Sequence, residues 1–181
     1  MEFRAARLDG VWLITPRVFE DARGFFMESY SRRMFADQGI DIEFVQDNHS
    51  LSVAAGVLRG LHFQKPPMTQ AKLVRAIRGA LVDVVVDLRA NSPTRGRWER
   101  FELTAENKQM LFVPHGFAHG FCTTVANTEV LYKVDNFYSP QHDSGIRWDD
   151  PTLSIEWPVH DPVVSAKDAA LPLYAEVTTP F

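Results

Sequence analysis

Cysteine is nearly absent from the chain: Cys122 is the only one in 181 residues. An intrachain disulfide and a cysteine-based metal cluster are therefore excluded. Long apolar runs are lacking as well. The longest, such as LVDVVVDL at 81–88, fall far short of the roughly 20 residues that a membrane-spanning helix needs. The first residues, MEFRAARLDGVWLITP, mix charged and apolar side chains with no continuous apolar stretch, so no secretory signal is expected. There is no low-complexity segment, no block of like charge and no repeat. Nor is there an excess of positive charge. Lys and Arg number 19 against 23 Asp and Glu, a net charge of −4. That speaks against a general nucleic-acid binder and leaves room for a local basic pocket. The expectation is a cytoplasmic protein that binds neither nucleic acid nor membrane.

What is present is ordinary for a globular chain, with 45% hydrophobic and 23% charged residues. The length suits one domain over residues 1–181, which would bury roughly 70% of the surface of its unfolded chain. Short runs rich in Val, Phe, Leu and Tyr are separated by Gly, Pro, Asn and Asp, which predicts an all-β sandwich or barrel. Strands are expected at 10–15, 24–30, 44–52, 56–64, 70–79, 81–89, 97–104, 109–114, 118–125 and 129–138. One helix is expected at 32–38, capped by Ser31 and ended by Gly39. A helical turn is expected at 165–170, where Ser165 stands three residues before Asp168.

Residues two apart share a face of a strand. Gln46, Asn48 and Ser50 then lie together, as do Tyr132, Val134, Asn136 and Tyr138. His115, Phe117, His119 and Phe121 are in phase if their stretch is extended. Arg59 and His62 are three apart, so a regular strand sends them to opposite faces. Both can face one cavity only if the strand is irregular, and Gly60 is a suitable place.

His62 sits among Leu58, Leu61 and Phe63. A lone histidine in such a strand is most simply a hydrogen-bonded core residue. Arg59, Gln64 and Lys72 nearby point instead to a polar-lined barrel interior, where ligand pockets form. Taken alone, Tyr132 is an ordinary strand residue, and Lys72 and Arg23 are by default solvated charges. VPHGFAHGF at 113–121 fits the second cupin motif at Pro114, Gly116 and His119. The first cupin motif would add an HxH pair, but GLHF holds a single histidine. A metal site made by His62, His115 and His119 stays open as an alternative that the missing spacing disfavours.

With these motifs the chain resembles the dTDP-4-dehydrorhamnose 3,5-epimerase family, β-barrels of the cupin class. The resemblance runs through DARGFF (21–26) with Glu28, QDNHS (46–50), GVLRGLHFQ (56–64), QAKLV (70–74) and DVVVDLR (83–89). It continues through SPTRGRW (92–98), VPHGFAHGF, LYKVDNFYSP (131–140), WDDPTLSIEWP (148–158) and SAKDAALP (165–172). The resemblance implies a cupin-type jelly-roll barrel with one or a few short helices. It implies His62 as general base, Asp168 as its partner, Tyr132 as general acid, and Lys72 facing the developing enolate. Arg23, Glu28, Gln46, Asp47, Asn48, Arg59, His119, Asp143 and Lys167 match positions that bind the sugar nucleotide. Tyr138 matches the aromatic residue that stacks on thymine. Some members carry Trp at that position, and others carry Glu where this chain has Asp143; stacking and acid contact survive both changes.

The implied reaction is epimerisation at C3 and C5 of dTDP-4-dehydro-6-deoxy-D-glucose to dTDP-4-dehydro-L-rhamnose, on the path to dTDP-L-rhamnose. It requires a base for a proton α to the C4 ketone, donors for the enolate oxygen, and an acid on the opposite face. Histidine titrates near neutrality and suits the first role. A carboxylate can orient it, and Lys72 suits the oxyanion. The ketone already acidifies the α protons, so no metal or organic cofactor is expected. Arg23 and Arg59 suit a diphosphate. The family also implies a homodimer in which the DARGFF segment completes the partner's site. Three other readings remain. An epimerase acting at C3 only or C5 only would share every polar residue named. A metal-dependent cupin would need its ligands. A non-catalytic sugar-binding barrel would have no use for His62, Tyr132 and Asp168 together.

Overall fold

The computed structural model describes residues 1–178 and 181. Alternating apolar residues produce the strands β1 (Glu2–Ala5), β2 (Trp12–Thr15), β3 (Val18–Asp21) and β4 (Gly24–Met27), followed by the helix α1 (Arg32–Ala36). Then come β5 (Gln46–Ser52), β6 (Val57–Gln64), β7 (Lys72–Arg78), β8 (Ala80–Asp87), β9 (Trp98–Thr104), β10 (Met110–Val113), β11 (Phe117–Thr123) and β12 (Thr128–Val134). The tail adds β13 (Asp143–Gly145), β14 (Val163–Val164) and α2 (Ala166–Ala169).

One sheet has the order β1-β2-β10-β7-β12-β5. The other has β13-β6-β11-β8-β9, with β14 added parallel to β6. Strands β3 and β4 form a hairpin outside both sheets. Between the sheets, Leu13, Val74, Leu111 and Val130 pack with Leu81, Val85, Leu103 and Phe117. The outer face of the second sheet, with Leu61, Val84, Val86 and Leu88, is covered by Ile155, Trp157, Tyr174 and Phe181 from the tail. The outer face of the first, with Ile14, Leu73 and Phe112, is covered by Phe35 of α1 and by Ile40, Tyr30 and Phe44. This double cover explains why 81–88 reads as nearly continuous apolar sequence. Each such buried side chain contributes roughly 1.5–3 kcal/mol.

The strand boundaries depart from expectation where side chains intervene. The strand expected over 129–138 ends at Val134. Asp135 Oδ1 there accepts from the Ala71 N–H at 2.7 Å, so a side chain takes a donor that the ladder would have used. Asn136 and Tyr138 therefore lie in a loop, out of reach of the alternation argument. Similarly, the strand expected over 24–30 ends at Met27. Ser31 occupies the N-cap of α1 with extended backbone but makes no capping hydrogen bond. Ser165 does cap α2, accepting from the Asp168 N–H at 3.0 Å. The short strands β1, β3, β13 and β14 carry too little periodic sequence to be read in advance.

The irregularity expected at Gly60 is present. His62 pairs with His119 and Arg59 with Phe121, with a register shift between them. Gly60 has φ 136°, a region closed to most side chains. A Cβ there would lie 2.6 Å from Gly120 Cα, so the two backbones touch. Leu61 is buried under the outer cover of the second sheet, while Leu58, Arg59 and His62 line a cavity.

Candidate active site

Where the two sheets part, they enclose a cavity of about 500 Å³. A smaller lobe of about 160 Å³ adjoins it, sharing His62, Lys72, Tyr132 and Lys167. His62, on β6, belongs to one wall. Its Nε2 lies 2.7 Å from Asp168 Oδ1, although the residues are 106 apart in the chain. The second Asp168 oxygen accepts from the Gly60 N–H at 3.1 Å. One carboxylate thus holds both the ring and the irregular turn of the strand beside it. Desolvation pushes the Asp168 carboxyl up, but hydrogen bonding and charge from His62, together with the Gly60 N–H, outweigh it and leave the pKa lowered. An ionised carboxylate only accepts, so Nε2 is the donor in this bond.

The facing wall is the other sheet. Tyr132 pairs with Val74, and Val134 with Lys72, so the phenol and the ammonium stand on neighbouring strands. Burial pulls the Lys72 pKa down to about 8, with Asp83 and Asp143 acting against it. Burial raises the pKa of Tyr132, opposed by Arg59, so the phenol stays protonated at neutral pH. His119, across from His62 on β11, has Nε2 at 2.9 and 3.0 Å from the two Asp83 oxygens. Desolvation lowers the His119 pKa despite the pull of Asp83.

Arg59, His119 and Lys167 line the main cavity with these residues. Gln46, Asn48, Tyr138 and Asp143 line the smaller lobe. Gln46 Nε2 donates to Asn48 Oδ1 at 2.9 Å. The Tyr138 hydroxyl donates to Asp143 Oδ2 at 2.9 Å, and Lys167 forms an ion pair with the same oxygen. Three expected residues do not join. Asp47 is one position out of phase with Gln46 and Asn48, faces outward, and pairs with Lys133 at 2.8 Å. Arg23 lies in the turn of the β3–β4 hairpin, paired with Asp21 at 2.6 Å, and Glu28 is exposed just after it. The three imidazoles of the metal alternative do not converge. His115 sits before β11, half exposed, with Nε2 2.7 Å from Asp135. Among the described residues, no group of three or more His, Cys, Asp or Glu side chains is arranged to hold a metal ion.

Asp83 escaped the sequence reading. Its signal was a charge inside the apolar run 81–88, in phase with Leu81 and Val85 and hence pointing between the sheets. It is fully buried; its Oδ2 takes the hydrogen bond with His119, and among the described residues Oδ1, though 2.9 Å from the same nitrogen, makes none.

A two-sheet jelly roll with a histidine–carboxylate pair on one wall and a phenol and an ammonium on the other defines a cupin-type barrel equipped for proton transfer. The profile of the dTDP-4-dehydrorhamnose 3,5-epimerase family matches residues 5–176. The chain belongs to that family. It is 52% identical over 159 residues to the dTDP-4-dehydrorhamnose 3,5-epimerase of Shigella flexneri, covering 87% of each chain. The crystal structure of the Bacillus anthracis enzyme of that name, with TDP and PPi bound, matches with TM-score 0.93 and 50% identity, covering 95% of this chain and 98% of that one. The Legionella pneumophila dTDP-6-deoxy-D-glucose-3,5-epimerase, in complex with dTDP-4-keto-L-rhamnose, matches with TM-score 0.93 and 40% identity over 98% of this chain and 94% of that one.

Proposed function

We propose that this chain epimerises C3 and C5 of dTDP-4-dehydro-6-deoxy-D-glucose, giving dTDP-4-dehydro-L-rhamnose. The observation that carries the reading is the opposition of His62 on one sheet, held by Asp168 of α2, to Tyr132 and Lys72 on the other. His62 takes the proton α to the C4 ketone, and Asp168 stabilises the imidazolium that forms. The bonding electrons move onto the ketone oxygen, where the Lys72 ammonium faces the enolate. Tyr132 returns a proton to the carbon from the opposite face. Solvent then recharges the phenolate and takes the proton from His62, and the cycle repeats at the second carbon. Arg59 and Lys167 hold the diphosphate side of the ligand. Tyr138 stacks on the base, with Gln46, Asn48 and Asp143 around it, and His119 contacts the sugar. None of these steps calls for a metal or an organic cofactor.

Arg23, Glu28 and Asp47 enter this reading through a homodimer. Phe25 and Phe26 on the β3–β4 hairpin are 57% and 68% exposed. An isolated two-stranded hairpin with such a face is marginal in water. Strand β5 ends its sheet with an open edge. A hairpin laid on the partner's β5 edge would cover both, bringing Arg23 and Glu28 towards the partner's cavity beside Asp47. Residues 1–181 act as one domain, in the cytoplasm, where the single buried Cys122 stays reduced.

Turnover in deuterium oxide, read by NMR, tests the reaction. Label at both C3 and C5 is expected, whereas label at one carbon alone means a narrower epimerase. Mixing inactive Arg23→Ala and His62→Ala chains tests the dimer. Partial activity should return, and none returns if each site is made by one chain.

A further inference from the structure

Gln64 has no part in the chemistry above, yet it is buried, 4% exposed, at the end of β6 two residues beyond His62. Its amide makes three hydrogen bonds. Nε2 donates to Met68 O at 2.6 Å and to Phe137 O at 3.1 Å, and Oε1 accepts from the Ser139 N–H at 2.7 Å. The partners belong to two loops. Residues 65–71 lead into Lys72, and residues 135–139 leave β12 carrying Tyr138. Two of the three bonds bracket Tyr138 directly, at Phe137 and Ser139. The loops are also tied to each other by Gln70 Nε2 to Asn136 O and by the Ala71 N–H to Asp135 Oδ1, both 2.7 Å.

We infer that Gln64 is a positioning residue that sets the spacing between the base-stacking end of the site and His62. The base-binding end of a ligand then meets a preformed place at Tyr138. The inference rests on the nucleotide-sugar reading of the cavity. An amide suits the task because it supplies two donors and an acceptor from one rigid plane. Leucine supplies neither, and an ionised glutamate supplies acceptors only, aimed at two carbonyl oxygens.

The proton-transfer groups stand on strands of the two sheets and in the tail, and do not depend on this amide. Loss of Gln64 should therefore weaken binding and spare chemistry. In Gln64→Leu, both KM and the Kd for thymidine diphosphate should rise roughly tenfold, the scale of one or two lost hydrogen bonds, with kcat within about twofold of wild type. Gln64→Glu keeps the size and adds a pH readout. Its Kd for thymidine diphosphate, taken as a ratio to wild type at each pH, should fall as pH is lowered from about 8 to 5, because the protonated carboxyl regains a donor. A folded Gln64→Leu protein with wild-type KM and Kd, or one that loses kcat at constant KM, overturns the inference. So does a flat ratio for Gln64→Glu, which carries the test alone if the leucine variant does not fold. A wild-type protein that neither binds thymidine diphosphate nor exchanges substrate protons overturns the functional reading itself. That result is distinct from an active wild type matched by its variants.

Discussion

Two histidine–aspartate pairs face each other across neighbouring strands. His62 and His119 are register partners of β6 and β11, and each presents Nε2 to a carboxylate. Their surroundings differ. The His62 side chain is 31% exposed, and its carboxylate arrives from the tail, whereas the His119 side chain is 8% exposed and Asp83 is buried inside a strand. Desolvation lowers the His119 pKa, and Lys72 and His62 nearby add to that lowering against the pull of Asp83. Burial thus disfavours the charged form of the closed ring, which still hydrogen-bonds Asp83. The open pair can gain a proton during turnover, and its counter-charge is already in place. The two pairs share their residue types and differ in desolvation, and the proposed division between acid–base work and positioning rests on that difference.

The largest test of that contrast removes the open ring. His62→Ala should cost at least about 10²–10⁴ in kcat and abolish deuterium exchange. Near-normal activity would move the proton step to His119. Tyr132→Phe comes next, with epimerisation reduced roughly 10²-fold and exchange at the α carbon reduced much less. Equal losses would remove the phenol from the reprotonation step. Smaller effects should follow pH. Lys72 is protonated only below about pH 8, so activity should decline as pH rises through that value, a limb missing from Lys72→Met. The same lysine binds its proton more weakly folded than unfolded, so folding is disfavoured below about pH 8 and the penalty fades as pH rises beyond it. Calorimetry at pH 7 should therefore show a higher Tm for Lys72→Met than for wild type. The mildest change is Ser165→Ala, which removes the cap of α2 at about 1 kcal/mol and disturbs Asp168 but not Asp83. If it shifts the chemical step as much as His62→Ala, the tail contributes more than a carboxylate.

Much of this was legible beforehand. The period-two runs marked ten of the strands, and the phase conflict between Arg59 and His62 located the irregularity at Gly60 without any structure. The motifs named eleven of the residues that line the cavity and its lobe. The reach of Asp168 to His62 was not readable, because a contact across 106 residues leaves no local pattern. Tyr138 was assigned to a strand because alternation continues on paper past Val134, while Asp135 ends the ladder with its own side chain. Asp83 was missed because a single charge in an apolar run resembles a strand end. Arg23 and Glu28 matched the motif, yet they sit on a hairpin whose packing surface lies outside a single chain's two sheets.

The double grip of Asp168, on the His62 ring and on the Gly60 amide, bears on how the protein is made. Synthesis runs from the N-terminus, and folding tends to follow it. Every strand from β1 to β13 precedes Asp168, and the β6–β11 pairing that carries both histidines is complete in sequence by Thr123. The carboxylate that grips ring and amide therefore comes from a segment laid down after the two histidines are already paired. A chain cut before α2 would keep every strand of that pairing and yet leave His62 without its counter-charge and Gly60 without its anchor.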